Sequence, residues 1–304
     1  MITRLRGIAF QLAKALAQAL AIIIIVFLLV RVVPGDVVDM FALQGDLNAA
    51  QQAAMRAELG LDRPVTAEFV DWLEKALTGD LGESLRFKRP VAEMVATALP
   101  TTLAFAALSF AIGLVLAFGT ALAAVMTGNR FFAFLVNLLN IWSIALPTFC
   151  VGVVAILVFS IWLGWLPVFG AMLLPAIVIG IDNAGQIAKP LFEELREAAS
   201  SAHVRTARAK GLHPLRIALT YLLPTAIPVA LALSGLVLAG LVAGTLTMEV
   251  LFGLQGIGSL TLQAIHGRDY PVVQGAIAVI ALGVVAINAV TDILHRLIDP
   301  RLDR

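Results

Sequence analysis

The sequence predicts an all-α integral membrane protein with about six transmembrane helices and both termini in the cytoplasm. Only 13% of its 304 residues are charged and 60% are hydrophobic, and the mean hydropathy is +0.96. A soluble domain has about 25% charged residues, so a water-soluble fold of this length is excluded. Charged residues are also absent from 94–129, 131–181, 217–248 and 270–291. Each stretch can supply the roughly 20 apolar residues that a spanning helix needs.

Six spans fit this pattern, with boundaries near 15–33, 97–127, 131–160, 171–188, 219–247 and 271–293. Helices are expected because lipid offers the backbone no other hydrogen-bond partners. Pro147 falls inside the long third span, which is therefore predicted to be kinked or divided into two helices. The N-terminal apolar run is longer than the core of a signal peptide, and we interpret it as a retained first span.

The distribution of basic residues predicts the orientation of the spans. Thirteen Lys and Arg residues lie before span one, between spans two and three, between spans four and five, and after span six, whereas the short loops opposite hold only Arg268. The positive-inside rule therefore places both termini in the cytoplasm. The predicted division is a transmembrane helix over 1–33, an extracytoplasmic helical segment over 34–96, and a core over 97–304 with five spans and a cytoplasmic loop at 189–218.

The 34–96 segment holds 11 of the 20 acidic residues. Ala, Gln and Glu predominate from Asn48 to Leu59, and apolar residues recur at helical spacing from Phe69 to Leu77, which indicates helix formation. We predict a small folded cap on the membrane face, with a solvated connector as the alternative.

Motifs for catalysis, metal binding and phosphate binding are missing from the sequence. There is no Gly-Lys pair, so the phosphate-binding loop of nucleotide hydrolases is absent. The four histidines are scattered, and the single cysteine is Cys150. We therefore expect no catalytic, cofactor-binding or metal-binding residues and no enzyme activity. The net charge of +1 gives no reason to expect a nucleic-acid partner.

The most informative segment is the basic loop between spans four and five. The stretch from Val204 to Leu212 predicts a short basic helix that ends at Gly211, and a second helix then continues into span five. By composition alone, this is a solvated helical hairpin.

This loop resembles the signature loop of ATP-binding-cassette (ABC) importer permeases, in which Glu-Ala-Ala is followed by three residues, Gly, nine residues, Ile, one residue and Leu-Pro. A literal Glu-Ala-Ala occurs at 197–199, but His203 then stands where Gly is required. In the register that fits, Ala207, Gly211, Leu223 and Pro224 match the pattern, whereas Arg205, Thr206 and Tyr221 depart from it. The run from Arg205 to Leu212 is typical of the dipeptide/oligopeptide/nickel branch.

Other motifs along the chain resemble the B-type permease subunit of the same branch. They lie at 31–36, 58–64, 79–84, 268–275 and 299–301. The resemblance therefore extends over essentially the whole chain, and it implies the type I ABC importer permease fold in a bacterial inner (cytoplasmic) membrane.

The resemblance also implies a function and partners. The chain would be the transmembrane permease subunit of an ATP-driven importer that moves di- or oligopeptides by alternating access, with nickel or metal-chelate import as the alternative. Its partners would be a second, C-type permease subunit, two ATP-binding subunits that hold ATP and Mg, and an extracytoplasmic solute-binding protein. The ATPase-coupling loop would comprise Arg205, Thr206, Ala207, Arg208, Lys210, Gly211, Leu223 and Pro224.

Two rival classes are less favoured by the sequence. An ion-coupled secondary transporter would need several intramembrane charges and an internal repeat, which the sequence does not show. Composition alone leaves a non-transporting membrane scaffold open.

Asp182 and Asn183 form the second candidate site, inside the fourth predicted span. An ionisable residue within a membrane span is costly and is by default a functional candidate. We expect both residues to face the translocation pathway, where Asp182 could attract an ammonium group or a cation. The alternative is that span four ends earlier and that Asp182 lies near cytoplasmic water.

Overall fold

The computed structural model describes residues 2–32, 38, 39, 42, 48–58 and 65–298. Apart from an isolated bridge between Glu83 and Pro90, the regular elements in these ranges are helices. They are α1 Ile2–Val32, α2 Ala49–Glu58, α3 Val65–Leu77, α4 Val91–Thr127, α5 Arg130–Ala145, α6 Thr148–Ala155, α7 Leu173–Ser200, α8 Ala202–Ala209, α9 Pro214–Ile217, α10 Leu223–Gly244, α11 Leu246–Leu251, α12 Ile257–His266 and α13 Tyr270–Ile298. The π-helical turns Ile156–Trp162 and Ala218–Leu222 continue α6 and α9. The all-α prediction is confirmed.

Four helical segments in the described ranges are long and apolar enough to cross a membrane. They are Phe10–Leu29, Val91–Thr127, Pro214–Val242 and Tyr270–Ile298. A fifth candidate is the pair Arg130–Ala145 and Thr148–Trp162, whose two helices are bent by 103°. The predicted interruption at Pro147 is therefore confirmed as a break. The predicted span 171–188 falls on α7, which is not among these segments because Asp182, Asn183 and Gln186 interrupt its apolar sequence.

The chain divides into two compact units. The first unit consists of Met1–Ala15, Leu103–Leu254 and Gly283–Arg304, and the second consists of Leu16–Thr102 and Gln255–Leu282. Each unit has its own apolar core.

Helix α7 is the centre of the first unit. It packs against α5, α6 and α10, and 15 of its 28 residues are buried. Its glycines permit this close packing, since a Cβ atom on Gly185 would lie 2.2 Å from the backbone oxygen of Leu139 and one on Gly180 would lie 2.6 Å from Cγ2 of Ile112. The Nζ atom of Lys189 also donates a hydrogen bond of 2.9 Å to Oδ1 of Asn137 on α5.

Large apolar side chains remain exposed on several helices of this unit, among them Ile144, Trp162 and Leu236. In water, an apolar surface of this extent would favour aggregation. The pattern fits helices whose outer faces contact lipid.

A buried carboxylate links two loops of the second unit. Asp269 is 1% exposed and accepts hydrogen bonds from Oγ of Ser84 at 2.5 Å, from the backbone N–H of Leu85 at 3.1 Å and from that of Arg86 at 3.3 Å. Ser84 ends the motif at 79–84, and Asp269 lies in the motif at 268–275. Leu85 and Arg86 directly follow the first of these motifs. The motif residues 33–36, 59–64 and 299–301 lie outside the described residues.

Replacing Asp269 with Ala is expected to release the loop that follows Ser84. The substitution would remove the acceptor of three donors, of which the Ser84 hydroxyl is buried and the two backbone N–H groups are partly buried, and an unpaired buried group costs about 1–3 kcal/mol. Arg86 and Lys88 in this loop are exposed and neither is followed by proline, so trypsin should cleave the variant at least about tenfold faster than wild type, as expected for a raised population of the open state. Glu74→Ala, at an exposed position of α3, is the control. Wild-type cleavage rates in Asp269→Ala would contradict this role.

Candidate functional site

A cavity of about 340 Å³ lies beside the central helix of the first unit. Four helices contribute to its walls, namely α6, α7, α10 and α11. The lining residues are Thr148, Phe149, Ile179, Asp182, Asn183, Gln186, Leu236, Val237, Gly240, Leu241, Gly244, Thr247 and Met248.

The polar side of this cavity is formed largely by α7. Asp182, Asn183 and Gln186 come from adjacent turns of the helix, and Nε2 of Gln186 donates a hydrogen bond of 3.0 Å to Oδ2 of Asp182. Asn183 is 4% exposed, and its Nδ2 atom is buried without a hydrogen-bond partner in the described part of the chain. Since buried polar groups in proteins are normally hydrogen-bonded, this amide has unused bonding capacity. The structure thus brings both predicted pathway residues to one cavity.

The opposite side of the cavity is apolar and open. Leu236 and Leu241 of α10 and Met248 of α11 contribute apolar surface. A Cβ atom at Gly240 or Gly244 would meet nothing within 4 Å, so these glycines leave room in the cavity instead of packing against a neighbouring helix of the described chain. The cavity therefore combines one carboxylate, two amides and two threonine hydroxyls with an apolar wall.

The second candidate feature is the surface of α8. Val204 and Ala207, three residues apart, are both buried, and they fix one face of the helix against its neighbours. Arg205, Thr206 and Arg208 are exposed on the remaining surface, and Lys210 is exposed just beyond the helix. The result is a short helix held by apolar contacts that presents three positive charges outward.

Gly211 ends α8 as the sequence predicts. Its φ of +73° lies in the left-handed region, which glycine adopts without the strain that a side chain brings. The N–H of Gly211 donates to the oxygen of Arg208 at 2.9 Å, and that of Leu212 donates to the oxygen of Ala207 at 3.3 Å. This pair of bonds is the Schellman motif that closes helix C-termini.

Leu223 and Pro224 lie apart from α8, in the first turn of α10. They follow the π-helical turn Ala218–Leu222, a geometry that accommodates the missing N–H of proline. The ring of His203 on α8 stacks on that of Tyr221 at 6.4 Å between centroids, so α8 is tied to this turn. The alternative triplet at 197–199 lies in the last turns of α7.

A groove of about 640 Å³ runs beside these elements. Glu194, Glu197, His203 and Pro224 are among its lining residues. One turn earlier on α7, the Lys189 ammonium group lies 2.8 Å from Oε1 of Glu193, and this hydrogen bond lowers the pKa of the Glu193 carboxyl. Carboxylates and the basic surface of α8 therefore occur close together at this end of α7.

One buried acid of this unit is not among the candidate residues predicted from the sequence. Glu249 on α11 is 0% exposed and accepts a hydrogen bond of 3.0 Å from Oγ1 of Thr245. The predicted span 219–247 ends just before Glu249, although the apolar residues on either side of it indicate a buried helix. Asp269, between the predicted spans 219–247 and 271–293, is likewise a buried group that the sequence does not indicate.

This chain is similar to known proteins over most of its length. Residues 112–304 match the family described as binding-protein-dependent transport system inner membrane component. A glutathione transport system permease protein of Salmonella typhimurium is 31% identical over 297 residues, which cover 96% of this chain and 97% of that protein. A di/tripeptide transport system permease protein of Pseudomonas aeruginosa is 32% identical over 330 residues, with 97% and 98% covered. A Brucella suis protein provisionally named a peptide transport system permease is 32% identical over 305 residues, with 96% and 97% covered.

Proposed function

Because the chain belongs to the family of inner membrane components of binding-protein-dependent transport systems, we propose that it is the permease subunit of an ATP-driven peptide importer. The observation that carries the proposal is similarity over nearly the full length to permeases named for glutathione, di/tripeptides and peptides. These names favour peptides over nickel or metal chelates as the solute. The chain moves di- or oligopeptides from an external binding protein across the inner membrane by alternating access.

The proposed assembly contains four membrane-associated subunits and one external protein. This chain is the B-type permease and pairs with a C-type permease of the same fold. Two ATP-binding subunits hold ATP and Mg and perform the hydrolysis, so this chain needs no catalytic residues of its own. The basic residues of the loop at 189–218 and near both termini support a cytoplasmic position for the loop, and therefore for the two ATP-binding subunits that contact it.

Helix α8 is the proposed contact with the ATP-binding subunits. Closure of those subunits has to move membrane helices, and this requires a rigid element. Support comes from Val204 and Ala207, which anchor α8, and from Gly211, which terminates it. Arg205, Thr206, Arg208 and Lys210 are free to contact the partner, while Leu223 and Pro224 connect the loop to α10.

The same loop leads directly to the cavity. Helix α7 continues from Asp182 to Ser200, immediately before α8, and 18 residues at 1.5 Å each span about 27 Å. Displacement of α8 is therefore transmitted along one helix to Asp182 and Asn183. We place these two residues in the translocation pathway because they line the cavity of the first unit.

Co-purification is the direct test of this assembly. A tagged copy of the chain, extracted from bacterial membranes in mild detergent, should co-purify with a second permease and two ATP-binding subunits. Adding the binding protein should then stimulate ATP hydrolysis by the complex. If the chain is isolated without any ATP-binding subunit and transports solute by itself, the proposal is wrong.

A further inference from the structure

We propose that the cavity beside α7 binds the free α-ammonium group of the transported peptide, with Asp182 as its counter-ion. This inference rests on the proposed function and specifies which part of the peptide the permease itself recognises. The description of the family names no ligand for this cavity.

The arrangement of acceptors around Asp182 suits an ammonium group. The Asp182 carboxylate lies at the cavity wall, and its Oδ2 atom is held by the amide of Gln186 at 3.0 Å. Asn183, Thr148 and Thr247, whose side chains also carry acceptor oxygens, belong to the same lining. An ammonium group has three N–H donors, and a hydrogen bond to an ionised acceptor is roughly twice as strong as a neutral one.

The buried amide of Asn183 provides a second, independent indication of a ligand. Its Nδ2 atom is a donor without a partner among the described residues, and it belongs to a side chain that lines the cavity and is 4% exposed. A peptide presents a carbonyl oxygen close to its α-ammonium group. Ammonium and carbonyl together would use the carboxylate of Asp182 and the unused donor of Asn183.

The remaining wall favours a peptide over an inorganic cation. Leu236, Leu241 and Met248 offer apolar surface for peptide side chains, and Gly240 and Gly244 leave the space open. The volume of about 340 Å³ lies within the usual range for small-molecule sites, about 300–1,000 Å³. Within the described part of the chain, no group of three His, Cys, Asp or Glu side chains could hold a metal ion.

The test compares the binding of two peptides to the purified permease–ATPase complex in detergent. Tri-alanine carries the α-ammonium group, and N-acetyl-tri-alanine does not. Saturation-transfer NMR measures both affinities with the external binding protein left out, so its own selectivity plays no part. Wild type should bind tri-alanine at least about tenfold more tightly than the acetylated peptide, as the strength of charge-assisted hydrogen bonds suggests.

Two substitutions of the acid make the test specific for charge. Asp182→Asn, which keeps the size of the side chain, should bind both peptides with similar affinity, whereas Asp182→Glu should keep the preference for tri-alanine. A third variant, Gly240→Leu, places a large side chain in the open space and should weaken binding of both peptides.

The outcomes separate this inference from the proposed function. Equal affinities in wild type, or an unchanged preference in Asp182→Asn, would overturn the ammonium site even if the complete complex imports peptides. ATP-dependent uptake of tri-alanine, measured separately with the binding protein present, reports on the proposed function. A preference for tri-alanine that disappears in Asp182→Asn and survives in Asp182→Glu supports the site.

Discussion

Reversing two exposed charges of α8, in the double variant Arg205→Glu/Arg208→Glu, is expected to abolish ATP-dependent peptide uptake. Both arginines lie on the surface of α8, whose other face is buried through Val204 and Ala207. The fold of the loop should therefore survive while its charge toward the partner is inverted. A partner surface that attracts the basic α8 is negative, so two glutamates on α8 would bring like charges together at the interface. This costs several kcal/mol, which corresponds to a loss of about 100-fold or more in uptake.

The measurement is uptake into proteoliposomes together with ATP hydrolysis stimulated by the binding protein. Both should fall, whereas the amount of chain in the membrane should stay at the wild-type level. Arg130→Glu is the matched control, because Arg130 is an exposed arginine on the same predicted side of the membrane and outside the loop. Normal uptake by the double variant would show that α8 does not carry the contact.

Substitutions at the buried or terminal positions of α8 are less specific tests. Ala207 is buried, so Ala207→Asp would place a charge inside the packing of the loop. Gly211 has a positive φ, so Gly211→Asp would strain the helix terminus. Both variants should also lose transport, but through disruption of α8 and not only through loss of the partner contact.

The second large effect is expected for Gly185→Ala on the central helix α7. A Cβ atom at this position would lie 2.2 Å from the backbone oxygen of Leu139 and 2.7 Å from the Cβ and Oγ atoms of Ser143. Because the nearest atom belongs to the backbone, rotation of a side chain cannot relieve the clash. Overpacking of this kind typically costs about 1–3 kcal/mol and occasionally more, so α5 and α7 should no longer pack as in wild type.

Thermal unfolding of the detergent-solubilised complex measures this effect. Gly185→Ala should lower the midpoint of unfolding and the yield of monodisperse protein. Gly119→Ala on α4 is the control, since a Cβ atom there meets nothing within 4 Å and alanine is favoured over glycine inside a helix by roughly 0.5–1 kcal/mol. An unchanged midpoint for Gly185→Ala would contradict the close approach of α5 to α7.

Features that depend on neighbouring residues were predictable from the sequence. Four of the six predicted spans, the break at Pro147 and the end of α8 at Gly211 each follow from the local chemistry of a few side chains. The resemblance in the loop and in the flanking motifs then indicated the family. The orientation of the termini and the roles of the loop residues stay predictions.

Features that depend on distant contacts could not be read in this way. Asp269 accepts a hydrogen bond from Ser84, 185 positions earlier in the chain, and no local pattern shows that the two motifs meet. The sequence does not show that α7 is the central helix of its unit, because its polar residues lower its mean hydropathy below that of the other spans. Gly240 and Gly244 line a cavity, and their spacing in the sequence does not show this.

Uptake by the reconstituted complex is the direct test of ATP-driven peptide import. Proteoliposomes that contain this chain, its partner permease and the ATP-binding subunits would be supplied with the peptide-loaded binding protein. Labelled tri-alanine should accumulate only when both ATP and the binding protein are present. Accumulation by this chain alone, driven by an ion gradient and without ATP-binding subunits, would contradict it.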